Sequence, residues 1–145
     1  MAKNIEVIAV NFQSEKSTIR QVRLDIFVRE QGVPEALEMD DRDDYCQHFL
    51  AYYNSQPIAT ARLDRWENGK IGRLAVLPAY RRQSVGRQIM HAIHHYAMHF
   101  HLDAVWCHAQ ISALEFYRRL GYEAQGEIFE EAGIMHVAMR YVLNK

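Results

Sequence analysis

Apolar residues along this chain follow two patterns, one typical of strands and the other of helices. Short alternating or continuous apolar runs predict strands at 4–12, Phe49–Tyr53, Pro57–Trp66, Lys70–Leu77, 103–109, 122–129 and 134–143. Apolar positions three or four residues apart predict helices between Ser14 and Gly32, over Val85–Phe100 and over Ser112–Leu120. The order strand, helix, three strands, helix, strand, helix, two strands indicates an α/β (α+β) fold. We expect a mixed, mostly antiparallel sheet of about six to seven strands with helices on both faces.

Small and polar residues mark where these elements begin and end. Ser14 or Ser17 is positioned to cap the first helix, and Gly32-Val33-Pro34 ends it. The turns Asn54-Ser55-Gln56 and Glu67-Asn68-Gly69 are short enough to close hairpins between the three central strands. Dimerisation through the exposed edge of the last strands is a further expectation, since an open edge needs covering.

The composition narrows the classes of protein to consider. The chain has 145 residues, 49% of them hydrophobic and 24% charged, which predicts one domain spanning residues 1–145. A net charge of −1 disfavours a nucleic-acid partner, and the absence of a long apolar run disfavours a membrane partner. Cys46 and Cys107 are too few for a disulfide framework, and the N-terminus lacks a signal-peptide pattern. We therefore expect a cytoplasmic protein.

A strand that turns into a helix carries the strongest chemical signal. The apolar run Leu74–Leu77 is stopped by Pro78, and Arg81-x-x-Ser84-x-Gly86 leads into the long helix. Backbone N–H groups in such a turn converge in front of the positive end of the helix dipole, which favours a phosphate group. A P-loop is disfavoured because no Gly-Lys-Ser/Thr follows, and a Rossmann site because the three-glycine fingerprint is missing.

Several motifs in the same order resemble the GNAT superfamily of N-acetyltransferases over nearly the whole chain. They are Leu74-Ala75-Val76-x-Pro78-x-Tyr80-Arg81, the turn that follows it, and Ala113-x-x-Phe116-Tyr117-x-x-x-Gly121-Tyr122. Two further segments resemble the ElaA-like and YjcF-like branch. They are Arg23-x-x-x-Phe27-Val28-x-Glu30-Gln31-Gly32-Val33-Pro34 and Glu131-x-Gly133-Ile134-x-His136.

The resemblance implies the GNAT fold and an acetyl-CoA co-substrate. Leu74, Ala75 and Val76 would pair with the pantetheine arm as with an added strand. The other residues implied to bind the coenzyme are Arg81, Arg82, Gln83, Ser84, Val85, Gly86 and Arg87 around the pyrophosphate, with Gln110, Ala113 and Phe116 nearby. Ser84 stands where the family usually has glycine, and Gln110 where it often has asparagine.

The implied reaction transfers an acetyl group to a primary amine by direct attack in a ternary complex. It needs a donor for the oxyanion, a proton for the thiolate and a neutral amine. A backbone N–H on Leu74–Val76 is the expected oxyanion donor. Tyr117 is the expected proton donor, with a structural role as a core aromatic as the alternative. The acceptor is a small-molecule or protein amine, with its specificity in 28–48 and 125–135.

The general base is left open by the sequence. Many relatives carry a glutamate just before the Leu-x-Val, but this chain has Ile71-Gly72-Arg73 there. The candidates are His108, Glu30, His48 or a water held by one of them. We assign His108 to catalysis and place Glu30 and His48 at the acceptor.

Two polar clusters receive structural interpretations. The run Asp40–Asp44 is expected to be a solvated acidic loop rather than an attractor for a cationic acceptor. His91, His95 and His99, with His94 close by, are expected on the solvent face of the long helix, without a physiological metal.

Two other functions remain open. The missing strand carboxylate and Ser84 favour a non-catalytic module that senses acyl-CoA. A structural or interaction protein with a degenerate site would bind no CoA.

Overall fold

The computed structural model describes residues 4–32 and 39–143, which form seven strands and three α-helices. The strands are β1 Ile5–Val10, β2 Gln47–Tyr53, β3 Gln56–Asp64, β4 Lys70–Val76, β5 Ala104–Gln110, β6 Glu123–Glu131 and β7 Ile134–Val142. The α-helices are α1 Phe12–Arg23, α2 Val85–His99 and α3 Leu114–Arg119. None of the helices in this described part has the length and hydrophobicity needed to span a bilayer.

The seven strands form one mixed sheet in the order β1-β2-β3-β4-β5-β7-β6. Neighbouring strands are antiparallel except β4 and β5, which run parallel. The predicted mixed, mostly antiparallel sheet is therefore confirmed, and it has the upper number of strands expected.

The helices lie on both faces of this sheet, as predicted. Phe49 on β2 packs in one apolar cluster with Ile89 and Ile93 of α2. Leu50, the next residue along the strand, packs in another cluster with Ile19 of α1. Since successive residues of a strand point to opposite faces, α1 and α2 cover opposite sides of the sheet.

The start of α1 differs from the sequence prediction. The helix begins at Phe12, and its cap is Asn11, whose side chain accepts a hydrogen bond of 3.1 Å from the Ser14 N–H. Asn11 is in extended conformation, which suits a capping residue, while Ser14 is already inside the first turn. After Arg23 the chain continues as a π-helical turn over Leu24–Val28 and reaches Gly32 at φ 73°. Val33 and Pro34 of the predicted stop signal lie outside the described residues.

The acidic segment is not a solvated loop, which corrects the prediction for Asp40–Asp44. Asp41–Tyr45 form a 3-10 helix, in which the side chain of Asp43 is buried. The Asp43 carboxylate binds the fully buried Arg23 at 2.9 Å and Arg62 at 2.8 Å. Buried guanidinium groups need anionic partners. Asp43 is therefore explained by its ion pairs with α1 and β3 and not by exposure to solvent.

Strands β4 and β5 separate shortly after they meet. Within the described chain their pairing is confined to Lys70 with Trp106 and Ile71 with Cys107. β4 also contains a bulge, because its pairing with β3 shifts by one residue between Thr60 and Arg62, and Arg73 takes φ 54°. After Ile71 and Cys107 the two strands are no longer paired and open into a V.

Candidate active site

The turn before α2 has the geometry expected of an anion site. Arg82 and Ser84 both adopt left-handed backbone conformations, with φ 60° and 63°. Ser84 stands at the N-cap position, yet its side chain makes no capping hydrogen bond, and the first turn of α2 contains no acidic residue. The first N–H groups of the helix therefore lack a side-chain acceptor and lie at the positive end of the dipole.

The arginines of this turn have different surroundings. Arg81 forms a two-pronged ion pair with Glu30, at 2.9 and 2.6 Å, and its Nε donates to the Val76 carbonyl. The Arg81 hydrogen bond lowers the pKa of the Glu30 carboxyl. This pair ties the segment after α1 to the turn, so both side chains hold the backbone in place. Arg82 and Arg87 are exposed and bring positive charge to the mouth of the turn.

Gly86 makes room for an aromatic side chain. A Cβ built on it would lie 3.2 Å from two ring atoms of Phe116, which is tighter than ordinary contact. Phe116 belongs to α3 and lines the cavity described next. Gly86 therefore lets the first turn of α2 pack directly on α3.

A cavity of about 560 Å³ occupies the V between β4 and β5. Its walls come from β3, β4, β5 and the segments next to them. From β3 to β4 the lining residues are Arg62, Asp64, Glu67, Lys70, Ile71, Gly72, Arg73 and Leu74, and from β5 and the chain after it they are Cys107, His108, Gln110, Ala113, Phe116 and Tyr117. The others are Phe27 and Gln31 after α1, Asp40 and Arg42 at the 3-10 helix, and Glu131, Ala132, Ile134 and His136 of the β6–β7 hairpin. Six of the predicted site residues line this space, namely Leu74, His108, Gln110, Ala113, Phe116 and Tyr117. The turn from Arg81 to Arg87, Ala75, Val76, Glu30 and His48 do not line it.

Tyr117 is buried at the wall of this cavity. Burial, together with the neighbouring Cys107, raises the pKa of the Tyr117 hydroxyl far above its ordinary value. Burial likewise raises the pKa of the Cys107 thiol to about 12. Both groups remain protonated at neutral pH, so Tyr117 has a proton to donate and Cys107 does not act as a thiolate nucleophile.

His108 faces the same cavity and is paired with a carboxylate. Its Nδ1 lies 3.0 Å from an oxygen of Glu131, and its ring packs edge-on against Trp106 and Phe129. A carboxylate accepts hydrogen bonds, so Nδ1 donates, and in the neutral ring the lone pair is on Nε2. Glu131 was not among the predicted site residues, although it belongs to one of the motifs that carry the resemblance to the ElaA-like and YjcF-like branch.

Gln110 connects the two walls of the cavity. Its Nε2 donates to the side-chain oxygen of Gln31 at 3.0 Å. Gln83, in the turn before α2, donates instead to the Ala79 carbonyl.

Two histidines lie elsewhere than the sequence predicted. His48 is fully buried, stacks on Phe12 and binds the Asp43 carbonyl at 2.9 Å, so it does not reach the acceptor. His94 is also buried rather than on the solvent face of α2, because it stacks on Tyr141 and hydrogen bonds Tyr122 at 2.6 Å. No group of three or more metal-ligating side chains occurs among the described residues.

Comparison with known proteins supplies the deciding observation. Residues 15–143 match the family described as the acetyltransferase (GNAT) domain. The chain belongs to the GNAT acetyltransferase family. The resemblance deduced from the motifs is thereby confirmed.

Relatives of this GNAT chain include both proteins that define the expected branch. YjcF of Bacillus subtilis, described as an uncharacterized N-acetyltransferase, is 33% identical over 92% of this chain and 96% of its own. ElaA of Escherichia coli is 33% identical over 87% of this chain and 86% of its own.

Solved structures agree with this assignment. The crystal structure of Escherichia coli ElaA matches with a TM-score of 0.83 at 30% identity, covering 93% of this chain and 98% of that one. An acyl-CoA N-acyltransferase from Pseudomonas aeruginosa matches with a TM-score of 0.81 at 29% identity, covering 94% and 99%. The GNAT fold is therefore shown.

Membership of the GNAT family makes this protein an acyltransferase with an acyl-CoA co-substrate. The residues present fit such a co-substrate. The uncapped N–H groups at the start of α2 suit the pyrophosphate, and the V between β4 and β5 suits an extended arm.

Proposed function

We propose that the protein is an acetyl-CoA-dependent N-acetyltransferase that acts on a primary amine in a ternary complex. The observation that carries this proposal is the V between β4 and β5, which opens beside the turn before α2 and is lined by Tyr117 and His108. The coenzyme phosphates and the acetyl group can then be held by neighbouring parts of one site.

Backbone groups bind the coenzyme in this proposal. The N–H groups from Arg82 to Arg87 surround the pyrophosphate, with the Arg82 and Arg87 side chains adding positive charge. Arg81 acts indirectly, because Glu30 and the Val76 carbonyl already occupy its guanidinium. The pantetheine arm adds to the free side of Leu74–Val76, with Gln110, Ala113 and Phe116 across from it.

The bulge on β4 provides the oxyanion donor. Regular pairing with β3 is interrupted around Arg73 and Leu74, where Arg73 takes φ 54°. An N–H released from the ladder there can point at the thioester oxygen, where charge develops during attack.

Two side chains move the protons. His108 accepts a proton from the attacking amine through Nε2, while Glu131 holds the ring by accepting from Nδ1. Tyr117 donates its proton to the sulfur of the departing coenzyme. The C–N bond forms as the C–S bond breaks, which yields an amide and free CoA thiol.

Direct attack by the amine is favoured over an acyl-cysteine route. Burial raises the pKa of both cysteines, Cys46 and Cys107, to about 12. A two-step transfer needs a thiolate nucleophile, and neither thiol ionises near neutral pH.

The test replaces Tyr117 by Phe in an assay of thiol release across a panel of amines. We expect kcat to fall by about 10²-fold or more, with CoA affinity changed little, because the hydroxyl acts on the leaving group. Tyr52→Phe, which changes a tyrosine on β2 outside the cavity, is the matched control and should retain full rate.

An unchanged rate for Tyr117→Phe would remove this residue from the mechanism. Tight CoA binding without turnover of any amine or peptide would instead identify an acyl-CoA sensor.

A further inference from the structure

Eight charged side chains line the cavity, four of them acidic and four basic. The carboxylates are Asp40, Asp64, Glu67 and Glu131, and the cations are Arg42, Arg62, Lys70 and Arg73. The acceptor must enter a space with these charges on its walls. Which charges are already paired therefore decides what acceptor the space can hold.

The carboxylates of the cavity are matched by partners within the protein. Asp40 binds Arg62 at 2.7 Å and Arg73 at 3.0 Å. Asp64 binds Arg42 at 2.8 Å, and Glu67 lies 3.9 Å from the same guanidinium.

Glu131, the fourth carboxylate, binds His108. Each lining arginine thus has a carboxylate partner. Glu131 differs, because its partner is an imidazole that acts as a neutral base in the proposed mechanism, so negative charge remains beside His108, where the amine is expected.

Lys70 differs from the other lining charges. It makes no ion pair with any carboxylate in the described part of the chain, and its Nζ lies 5.2 Å from the centre of the Trp106 ring. An aromatic face attracts an ammonium group but leaves its full charge in place. The cavity therefore carries at Lys70 a positive charge that no carboxylate of residues 4–32 or 39–143 neutralises.

The surroundings of Lys70 hold it in a defined place. The Trp106 N–H donates to the Gly69 carbonyl at 3.1 Å, and the indole Nε1–H donates to the Glu67 carbonyl at 2.9 Å. These bonds fix the ring on which the ammonium rests. Lys70 also pairs with Trp106, one register position before Ile71 and Cys107, after which β4 and β5 separate, so it stands next to the closed end of the V.

We propose that the acceptor carries an anionic oxygen group, a carboxylate or a phosphate, which binds Lys70 while the amine reaches His108. This inference rests on the proposed N-acetyltransferase function and names the class of its acceptor. Lys70 recognises the anionic group, and the amine at the other end of the molecule is acetylated. Simple alkylamines and polyamines lack that group and bind less well.

The first experiment compares matched acceptors by thiol release. Glycine, β-alanine and 4-aminobutanoate are each paired with the corresponding carboxamide, and 2-aminoethyl phosphate is paired with ethanolamine. We expect KM to be lower by about tenfold or more for the anionic member of the preferred pair, since a charge-assisted contact is lost in the neutral one. Preference within the carboxylate pairs or the phosphate pair separates the two sources of charge.

Variants of Lys70 connect the preference to this residue. Lys70→Met should abolish the difference in KM, and Lys70→Arg should retain part of it because the charge is kept. Lys16→Met is the matched control, since Lys16 is an exposed lysine on α1 outside this cavity. An unchanged preference in Lys70→Met overturns the inference.

A binding experiment keeps the inference testable if no acceptor is turned over. N-acetyl-4-aminobutanoate, N-acetyl-2-aminoethyl phosphate and their neutral counterparts are titrated into the CoA-saturated protein. Tighter binding of an anionic compound that disappears in Lys70→Met supports the site even without turnover. Equal affinity within both pairs, or no binding at millimolar concentration, overturns it. Turnover of neutral amines without any preference leaves the N-acetyltransferase function standing and removes the Lys70 site.

Discussion

The hydrogen bond between His108 and Glu131 determines which nitrogen of the ring can take a proton. Nδ1 donates to the carboxylate at 3.0 Å, so Nε2 is the atom that can act as a base. In the proposed mechanism Glu131 acts through the imidazole, as a positioning residue, and the pair takes the place of the strand glutamate that this chain lacks before Leu74.

The double substitution of this pair tests that assignment. We expect His108→Asn and Glu131→Gln each to lower kcat/KM by about 10²-fold or more. In the first variant the amine keeps its proton, and in the second the imidazole loses its orientation. The double variant should be little worse than His108→Asn alone, since both changes remove one function. Thiol-release kinetics on the four proteins measure this.

Glu130→Gln provides the control for these variants. Glu130 is exposed and precedes Glu131 on β6, so its replacement should leave the rate unchanged. Fully additive losses in the double variant would show that His108 and Glu131 act separately.

Sequence reasoning was most informative about the backbone of the turn. The motif predicted a turn through Ser84 into a helix, and Ser84 does stand at the N-cap position of α2. The close contact of Gly86 was expected with a ligand or a strand, but it is with Phe116 of α3. His48 and His94 could not be placed, since their burial depends on Phe12 and Tyr141, which are distant in sequence. Only the folded chain brings such partners together.

At the scale of elements, the site depends on α2 and α3 packing closely beside the V. Gly86 and Phe116 meet at this contact, and the missing side chain of Gly86 is what allows it. The order of strands and helices was predictable because each has its own apolar period. The bulge at Arg73 was not, since a positive φ at an arginine follows from pairing with β3 and leaves no local sequence signal.

Gly86→Ala should disturb this contact and weaken coenzyme binding. The new Cβ would lie 3.2 Å from the Phe116 ring, so Phe116 or α2 must shift, at a cost of about 1–3 kcal/mol. Calorimetric titration with CoA should show a higher Kd, and thermal unfolding a lower Tm.

Adding Phe116→Leu to Gly86→Ala should recover part of the Tm loss, because the smaller side chain leaves space for the methyl group. Wild-type affinity and Tm in Gly86→Ala would contradict this account of the glycine.

At the scale of the whole molecule, buried polar groups join elements that are distant in sequence. Arg23 of α1, Asp43 of the 3-10 helix and Arg62 of β3 form one ion cluster, which extends through Asp40 to Arg73 on β4. Burial would raise the pKa of Asp40, yet the bonds to Arg62 hold it at about 2. Removing one partner from such a cluster leaves a buried charge, so the site walls and the fold share these residues.

Two buried histidines make the stability of the whole protein depend on pH. Burial lowers the pKa of His48 and of His94 to about 4, from an ordinary value of 6.5. Between these values the unfolded chain binds protons that the folded chain does not, so the free energy of unfolding falls as pH drops from about 6.5 to 4. Each histidine accounts for a loss of about 3 kcal/mol across that window.

Chemical unfolding at pH 7 and at pH 4.5 measures this loss, and His94→Phe tests its origin. Phenylalanine cannot take up a proton and can still stack on Tyr141, so the variant should lose less stability than wild type between the two pH values, whatever its stability at pH 7. His95→Gln removes an exposed histidine from the same helix and should keep the wild-type difference. The Asp40 and Asp43 carboxyls, whose pKa values are lowered, would contribute a separate loss below about pH 4, because they must be protonated there. A wild-type protein equally stable at pH 7 and 4.5 would mean that His48 and His94 ionise without unfolding the core around them.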